Sequence, residues 1–269
     1  MSAVLPVREV AKPWGVDHLP APFVSPGGVR IGEIWFEPPP ALPSVLVKYL
    51  FTSEKLSVQV HPTDAQAADF GESDGGKEEC WLVIAAEPGA TLGVGFREPI
   101  GAEAMRAAAL DGSIEDLLVW FPVEPGDFFY IPAGTIHAIG AGVSLIEIQQ
   151  TSDITYRLYD YGRPRELHLT RGIAVARGEP HDPGLRKHIP DRGMVELARG
   201  KYFTAHRLDG PADAVLMAEY SGALLVIPRR GAVEVDGAQV IPGQCAIADS
   251  LAKVSIPTEA LLVIARPAA

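Results

Sequence analysis

Cysteine is nearly absent from this 269-residue chain: Cys80 and Cys245 are the only two. Two thiols so far apart exclude a disulfide framework and a thiolate metal cage. Positive charge is also scarce. Lys and Arg number 23 against 34 Asp and Glu, for a formal net charge of −11. That balance disfavours nonspecific binding to nucleic acid or to an anionic membrane. An anionic ligand would need a local cluster of Lys and Arg set against the global field. Long apolar runs are missing as well, and none is long enough to cross a bilayer. The opening "MSAVLPVREVAKPWG" lacks the continuous apolar core and cleavage site of a signal peptide. A cytoplasmic protein without nucleic-acid or membrane partners is therefore expected.

What the chain does have is turns. With 27 Gly and 24 Pro among 47% apolar and 21% charged residues, it has ordinary globular composition cut into short segments. Such punctuation indicates an all-β chain. "VLVKYLF" reads as a strand with Lys48 in its middle. "KLSVQVHP" alternates, with Leu56, Val58 and Val60 on one face and Ser57, Gln59 and His61 on the other. "TDAQAADFGESDGGK" reads as a loop or a short helix plus loop, and "EECWLVIAAE" resumes as a strand. "GAEAMRAAALDGSIEDLLVWF" has helical spacing broken at Asp111-Gly112, hence a pair of inserted helices around 101–121. "DFFYI", "IHAI", "VSLIEIQQ" and "ITYRLYDY" follow as short strands between tight turns. This spacing predicts a sandwich or barrel of the jelly-roll type.

After Arg171 the text turns polar and Pro-rich. We place a first domain over 1–176, then a linker and a smaller C-terminal β domain over 177–269. Laying Pro242-Gly243 over Pro125-Gly126 sets Val254 against His137, as in a degenerate repeat that has lost a ligand.

Gln59 and His61 share one strand face, so both can reach one ion. Glu79 begins a strand that could lie alongside, and His137 follows the turn "PAGT". Two imidazoles, a carboxylate and an amide oxygen suit a first-row divalent ion; zinc is favoured without thiolates, though other metals fit. Against this, a lone strand histidine is usually a satisfied core or surface residue. His168, His181, His188 and His206 lie in polar text and read as surface residues, and His18 is not placed.

"PGD…IPAGTIH" resembles the second metal motif of the cupin superfamily. Together, "KPWG", "KYLFTSEKLSVQVHP", "GGKEECWLV", "PAGTIHAIGAG" and "EIQQTSDITYRLYDYGR" resemble type I mannose-6-phosphate isomerases (phosphomannose isomerases) in their short bacterial form, from about Lys12 to about Ala176. The resemblance implies a cupin-type jelly roll followed by a degenerate cupin-like domain. It implies one Zn2+ per chain on Gln59, His61, Glu79 and His137, with Glu78 in a variable place beside the ligand. It further implies catalytic roles for Lys77, Glu147 and Arg157, and substrate contacts from Ser57, Lys48 and Arg157. Thr63 departs from the pattern, where the family usually has Asp after "HP". The family's larger members also carry a helical insertion for which this chain has no room.

The implied reaction interconverts D-mannose 6-phosphate and D-fructose 6-phosphate through a cis-enediol or enediolate. Stabilising the developing oxyanion is its largest demand, and a divalent ion beside Lys77 meets it. Glu147, on the Leu145–Glu147–Gln149 face, is the first candidate base, and a zinc-bound water is the other. Lys77 and that water are the candidates for opening the sugar ring. Arg157 alone would read as a surface ion-pair partner; within these motifs it reads as a phosphate ligand. Lys48 in an apolar run needs an anion, and substrate phosphate would serve. Cys80 points away from the ligand face and reads as a small apolar filler, and Trp14, Trp81 and Trp120 read as core. Two rival functions keep the fold or the binding but change the outcome. One is another cupin metalloenzyme, an oxygenase or an isomerase of a different phosphosugar. The other is a non-catalytic sugar-phosphate-binding module.

Overall fold

A computed structural model describes residues 4–268. The chain runs through β1 (Val7–Val16), β2 (Ile31–Phe36), β3 (Val45–Phe51), β4 (Val58–Val60), α1 (Asp64–Asp69), β5 (Glu79–Ala86) and β6 (Thr91–Phe96). It continues through α2 (Ala102–Asp111), α3 (Ile114–Leu117), β7 (Leu118–Pro122), β8 (Asp127–Ile131), β9 (His137–Ile139), β10 (Val143–Gln150), β11 (Tyr156–Tyr159) and α4 (Leu169–Val175). The remainder holds β12 (Arg186–His188), β13 (Val195–Arg199), β14 (Phe203–Asp209), α5 (Ala214–Glu219), β15 (Leu224–Arg230), β16 (Val233–Val235), β17 (Ala238–Val240), β18 (Ala246–Ala248), β19 (Val254–Ser255) and β20 (Leu261–Pro267). No helix among the described residues is long and apolar enough to cross a membrane.

The strands form four open sheets: β1-β2-β3-β10-β5-β8-β12, β11-β4-β9-β6-β7, β13-β14-β20-β15-β18 and β17-β16-β19. This corrects the expected fold class. The described residues form a mixed architecture of helices and open sheets, and among them no sheet closes into a barrel, so neither the expected jelly-roll barrel nor a cupin-like second barrel is formed. The reason lies in how apolar surface is covered. β2 and β3 are buried along their whole length, because the seven-stranded sheet is a central layer. One face meets the first five-stranded sheet through Trp81 and Val83 against Leu92, Val94 and Ile139. The other meets the C-terminal sheet through Val47, Tyr49, Cys80 and Ile146, which share a core with Phe203, Leu225, Ile227 and Val263. Stacking thus does the covering that closure was expected to do. The end strands need no mate, since β1 carries exposed Arg8 and Glu9 and β12 is three residues long.

α2 and α3 fall where the helical spacing predicts, broken by Gly112 at φ +86°. α2 buries Met105, Ala108 and Ala109 in a core with Val58, Val60, Leu158 and Ile173, which covers the outer face of the first five-stranded sheet. α4 and α5 were not expected from the sequence. They span seven and six residues, too short for helical periodicity to declare itself.

Candidate metal centre and substrate cleft

The site lies between the seven-stranded sheet and the first five-stranded one. Three local devices bring its parts together. On β4, alternation sends Val58 and Val60 outward and Gln59 inward, and the register pairs Gln59 with His137 of β9 and with Arg157 of β11. Thr63 caps α1 in a reciprocal capping box with Gln66. The returning loop then packs Gly76 so closely that a Cβ there would lie 2.5 Å from both Asp64 N and Thr63 C. Only glycine allows that approach, and it seats Lys77, whose N–H donates to Pro62 O (3.0 Å). Third, Pro132–Thr135 forms a β-turn, Thr135 N–H donating to Pro132 O (3.1 Å), with Gly134 at φ +86°. Gly134 N–H also donates to His61 O (2.8 Å), which ties the turn to the end of β4.

His61, Glu79 and His137 converge, with one donor atom from each within 4.8 Å of the others. All three are at most 2% exposed. Glu79 Oε1 lies 3.6 Å from His61 Nε2 and 3.4 Å from His137 Nε2. The opposite ring nitrogens face backbone carbonyls, His61 Nδ1 at 2.6 Å from Ile154 O and His137 Nδ1 at 2.9 Å from Thr135 O. A carbonyl can only accept, so each Nδ1 carries the proton and each Nε2 lone pair is aimed at the shared centre. Burial, reinforced by Lys77, pushes His61 down to about 3, and burial also lowers His137; both rings are neutral at pH 7. Lys77 Nζ stands 2.6 Å from Glu79 Oε2 as a charge-assisted partner, while Oε1 has no hydrogen-bond partner among the described residues. Against burial, Lys77 and the two imidazoles hold the Glu79 carboxyl well below its ordinary range. A buried ionised carboxylate whose Oε1 lies between two neutral imidazoles forms a His/His/Glu cluster consistent with a divalent metal ion.

Gln59 stands beside this cluster in a different pose from the expected oxygen ligand. Its oxygen accepts from Ser57 Oγ (3.0 Å), and its amide nitrogen is 3.3 Å from His137 Nε2. Glu78 is directed elsewhere, accepting a hydrogen bond from Tyr130 OH.

The cleft next to the centre is lined by Lys48, Ser57, Gln59, Lys77, Glu147 and Arg157, together with Lys12, Trp14, Glu33, Trp81, Asp153 and Arg165. Its floor is a cross-strand row in which Trp35, Lys48, Glu147 and Trp81 are successive register partners on β2, β3, β10 and β5. Glu147 Oε1 is 3.5 Å from both Lys48 Nζ and Lys77 Nζ, and Oε2 accepts from Trp81 Nε1 (3.2 Å). Burial, then the charge of Glu79, lifts the Glu147 carboxyl to about 7 despite the two lysines. Glu147 and Glu79 hold Lys77 protonated against burial, which opposes them. Lys48 finds its anions within the chain, Glu147 and Asp153 at 3.5 Å each, and lies 3.9 Å above the Trp35 ring. Arg157 is half-buried at the rim and donates from Nε to Glu166 O (3.1 Å). Burial, with Arg165 nearby, lowers its pKa. Arg165 itself is tied to Asp160 by contacts of 2.6 Å.

Sequence reasoning missed the Glu33 part of this network. Glu33 is buried, bound to Trp35 Nε1 (2.5 Å) and Lys12 Nζ (3.0 Å), and the signal was a carboxylate inside the apolar run "RIGEIWF". Trp14 and Trp81 do belong to the core, yet both also line the cleft. Cys80 is fully buried among apolar neighbours. Two histidine expectations are corrected: His181 and His206 are each only 7% exposed, bonded to Tyr130 O and Tyr220 OH, because they face inward between layers. His168 is half-buried, while His18 and His188 are exposed.

No family model matches the chain. A mannose-6-phosphate isomerase of Streptococcus mutans is 45% identical over 137 residues, 49% of this chain and 43% of the relative. A putative mannose-6-phosphate isomerase of Bacillus subtilis is 35% identical over 190 residues, 66% of this chain and 58% of the relative. The matches thus span between 43% and 58% of the length of the curated relatives. Among solved structures, the mannose 6-phosphate isomerase from Bacillus subtilis superposes with a TM-score of 0.80 at 24% identity, covering 98% of both chains. A putative mannosephosphate isomerase from Archaeoglobus fulgidus gives 0.75 at 20% identity, with 98% and 99% covered. In sequence over part of its length, and in fold over nearly all of it, the chain is similar to bacterial mannose-6-phosphate isomerases.

Proposed function

We propose that the chain is a metal-dependent aldose–ketose isomerase that interconverts D-mannose 6-phosphate and D-fructose 6-phosphate. His61, Glu79 and His137 would hold zinc, and Gln59 would complete the donor set once its amide turns its oxygen from Ser57 toward the centre. The bound ion would supply the positive potential that acidifies a carbon next to a carbonyl and stabilises the resulting oxyanion.

The chain's own residues do the rest. Glu147, with its carboxyl near 7, is the base: ionised often enough to take the proton from C2 and basic enough to return it to C1. Trp81 Nε1–H fixes one carboxylate oxygen and leaves the other toward the two lysines. Lys77, protonated between Glu79 and Glu147, holds a positive charge beside the reacting oxygens and is the candidate donor for ring opening. Arg157 at the rim has the planar fork suited to phosphate, and Lys48 adds charge from the floor.

One observation carries the proposal: three buried donors, His61, Glu79 and His137, converge on one point, a short step from a carboxylate whose pKa is raised. Turnover in both directions, lost on dialysis against a chelator and restored by zinc, is expected. Full activity after complete metal removal, or saturable sugar-phosphate binding without turnover, would contradict it.

A further inference from the structure

A second set of cations lies on the other face of the central sheet. Between that sheet and the C-terminal one is a cavity of about 310 Å³, walled by Leu82 and Ile84 of β5 on one side and by Arg207, Arg229 and Arg230 on the other. Phe203 and Ala205 of β14 face this layer as ordinary core, and the next residue of the same parity is Arg207. Leu225 and Ile227 of β15 do likewise, and the next is Arg229. The ladder to β20 shifts register between Pro228 and Arg230, an irregularity of the kind that re-aims a side chain.

Both arginines are short of partners. Arg207 is 5% exposed; its Nη2 donates to Gly193 O (3.0 Å), but its Nε is buried with no acceptor. Nη1 of Arg229 is also buried with no acceptor, and burial lowers the pKa of this guanidinium with only Tyr49 opposing it. Neither makes an ion pair among the described residues. Two carboxylates act on Arg207 from a distance, Asp209 and Asp191; Asp209 is already paired with Arg230 Nη2 at 2.9 Å, and Asp191 lines the cavity without an ion pair to either arginine. A buried cation without a counterion is costly, and leucine or methionine would fill this apolar layer without that cost. In a chain of net charge −11, two adjacent guanidinium groups without an ion pair, Arg207 and Arg229, leave positive charge beside this cavity that an anion would offset.

We propose that this cavity is a second anion site that binds a phosphate group, with Arg207 and Arg229 as its inner forks and Arg230 at the rim. Guanidinium forks match phosphate oxygens in pairs, and the volume falls within the range of small-ligand pockets. The site is separate from the substrate cleft and does not rest on the isomerase reading.

Calorimetric titration of the zinc-loaded full chain with inorganic phosphate, against chloride at equal ionic strength, tests it. R207Q and R229Q are expected to weaken one phosphate-binding event roughly tenfold or more, the loss of one charge-assisted hydrogen bond. Unchanged phosphate affinity and stoichiometry in both variants would overturn the proposal. If either variant fails to fold, phosphate-soaked crystals of the unaltered chain decide: density against Arg207 and Arg229 supports the site, and none at saturating phosphate overturns it. Glycerol 3-phosphate in place of phosphate distinguishes an ester from the free ion. Occupancy by either supports the site, and the tighter of the two identifies its ligand.

Discussion

Replacing Glu147 by glutamine should make the metal-free chain more stable and the enzyme almost inert. Burial and Glu79 raise the Glu147 carboxyl from 4.5 to about 7 in the folded state. Between those pH values the folded chain binds more protons than the unfolded one, so unfolding free energy falls as pH rises. At about 1.4 kcal/mol per pH unit, this group alone withdraws about 3 kcal/mol by pH 8. The attraction of Lys48 and Lys77 is already contained in that figure, because both act on the same ionised carboxylate. Glutamine mimics the protonated form and can still accept from Trp81, so E147Q avoids the loss. Urea unfolding with a chelator should show the two proteins alike near pH 4.5 and E147Q more stable by up to about 3 kcal/mol at pH 8. Turnover should fall by about 10²–10⁴, the worth of a positioned base. An E147Q chain less stable than wild type at pH 8 would refute the reasoning, since the lysines would then outweigh burial.

Other perturbations follow from the same geometry. K77M leaves Glu79 and Glu147 facing each other without their shared cation and should cost about 3–5 kcal/mol, most of all at high pH; a pH series of melting temperatures checks this. G76A forces a Cβ into the backbone of Thr63 and Asp64 and should cost about 1–3 kcal/mol while weakening metal binding, read by zinc titration. S57A frees the Gln59 oxygen at a cost of about 1 kcal/mol; a zinc affinity unmoved by the change would show that Gln59 takes no part in the centre. Zinc at about a hundred times its Kd should raise unfolding free energy by about 2.7 kcal/mol, and H61A should abolish that gain.

Much of this was legible in the sequence. β3, β8 and β10 occupy the segments that turn residues mark off, because a run bounded on both sides has little freedom in where it starts. The inward faces of Gln59 and of Glu147 followed from alternation, a property of one strand. What one strand does not encode is pairing. The Trp35–Lys48–Glu147–Trp81 row depends on the register of four strands, and Lys48 therefore found its anions in Glu147 and Asp153, where the sequence suggested only substrate phosphate. Sheet closure is a property of the assembly too. Short strands between tight turns are shared by barrels and by stacked open sheets, and the near-continuous apolar run "VLVKYLF", which the structure buries throughout, was the available sign of a central layer. The pose of Gln59 depends on the Ser57 hydroxyl, which spacing does not reveal.

An anomalous difference map at the zinc edge, from crystals grown with zinc, tests the central claim most directly. The account predicts one strong peak about 2.0–2.2 Å from His61 Nε2, His137 Nε2 and a Glu79 oxygen. Zinc elsewhere on the chain, with these three side chains free of metal, would contradict it.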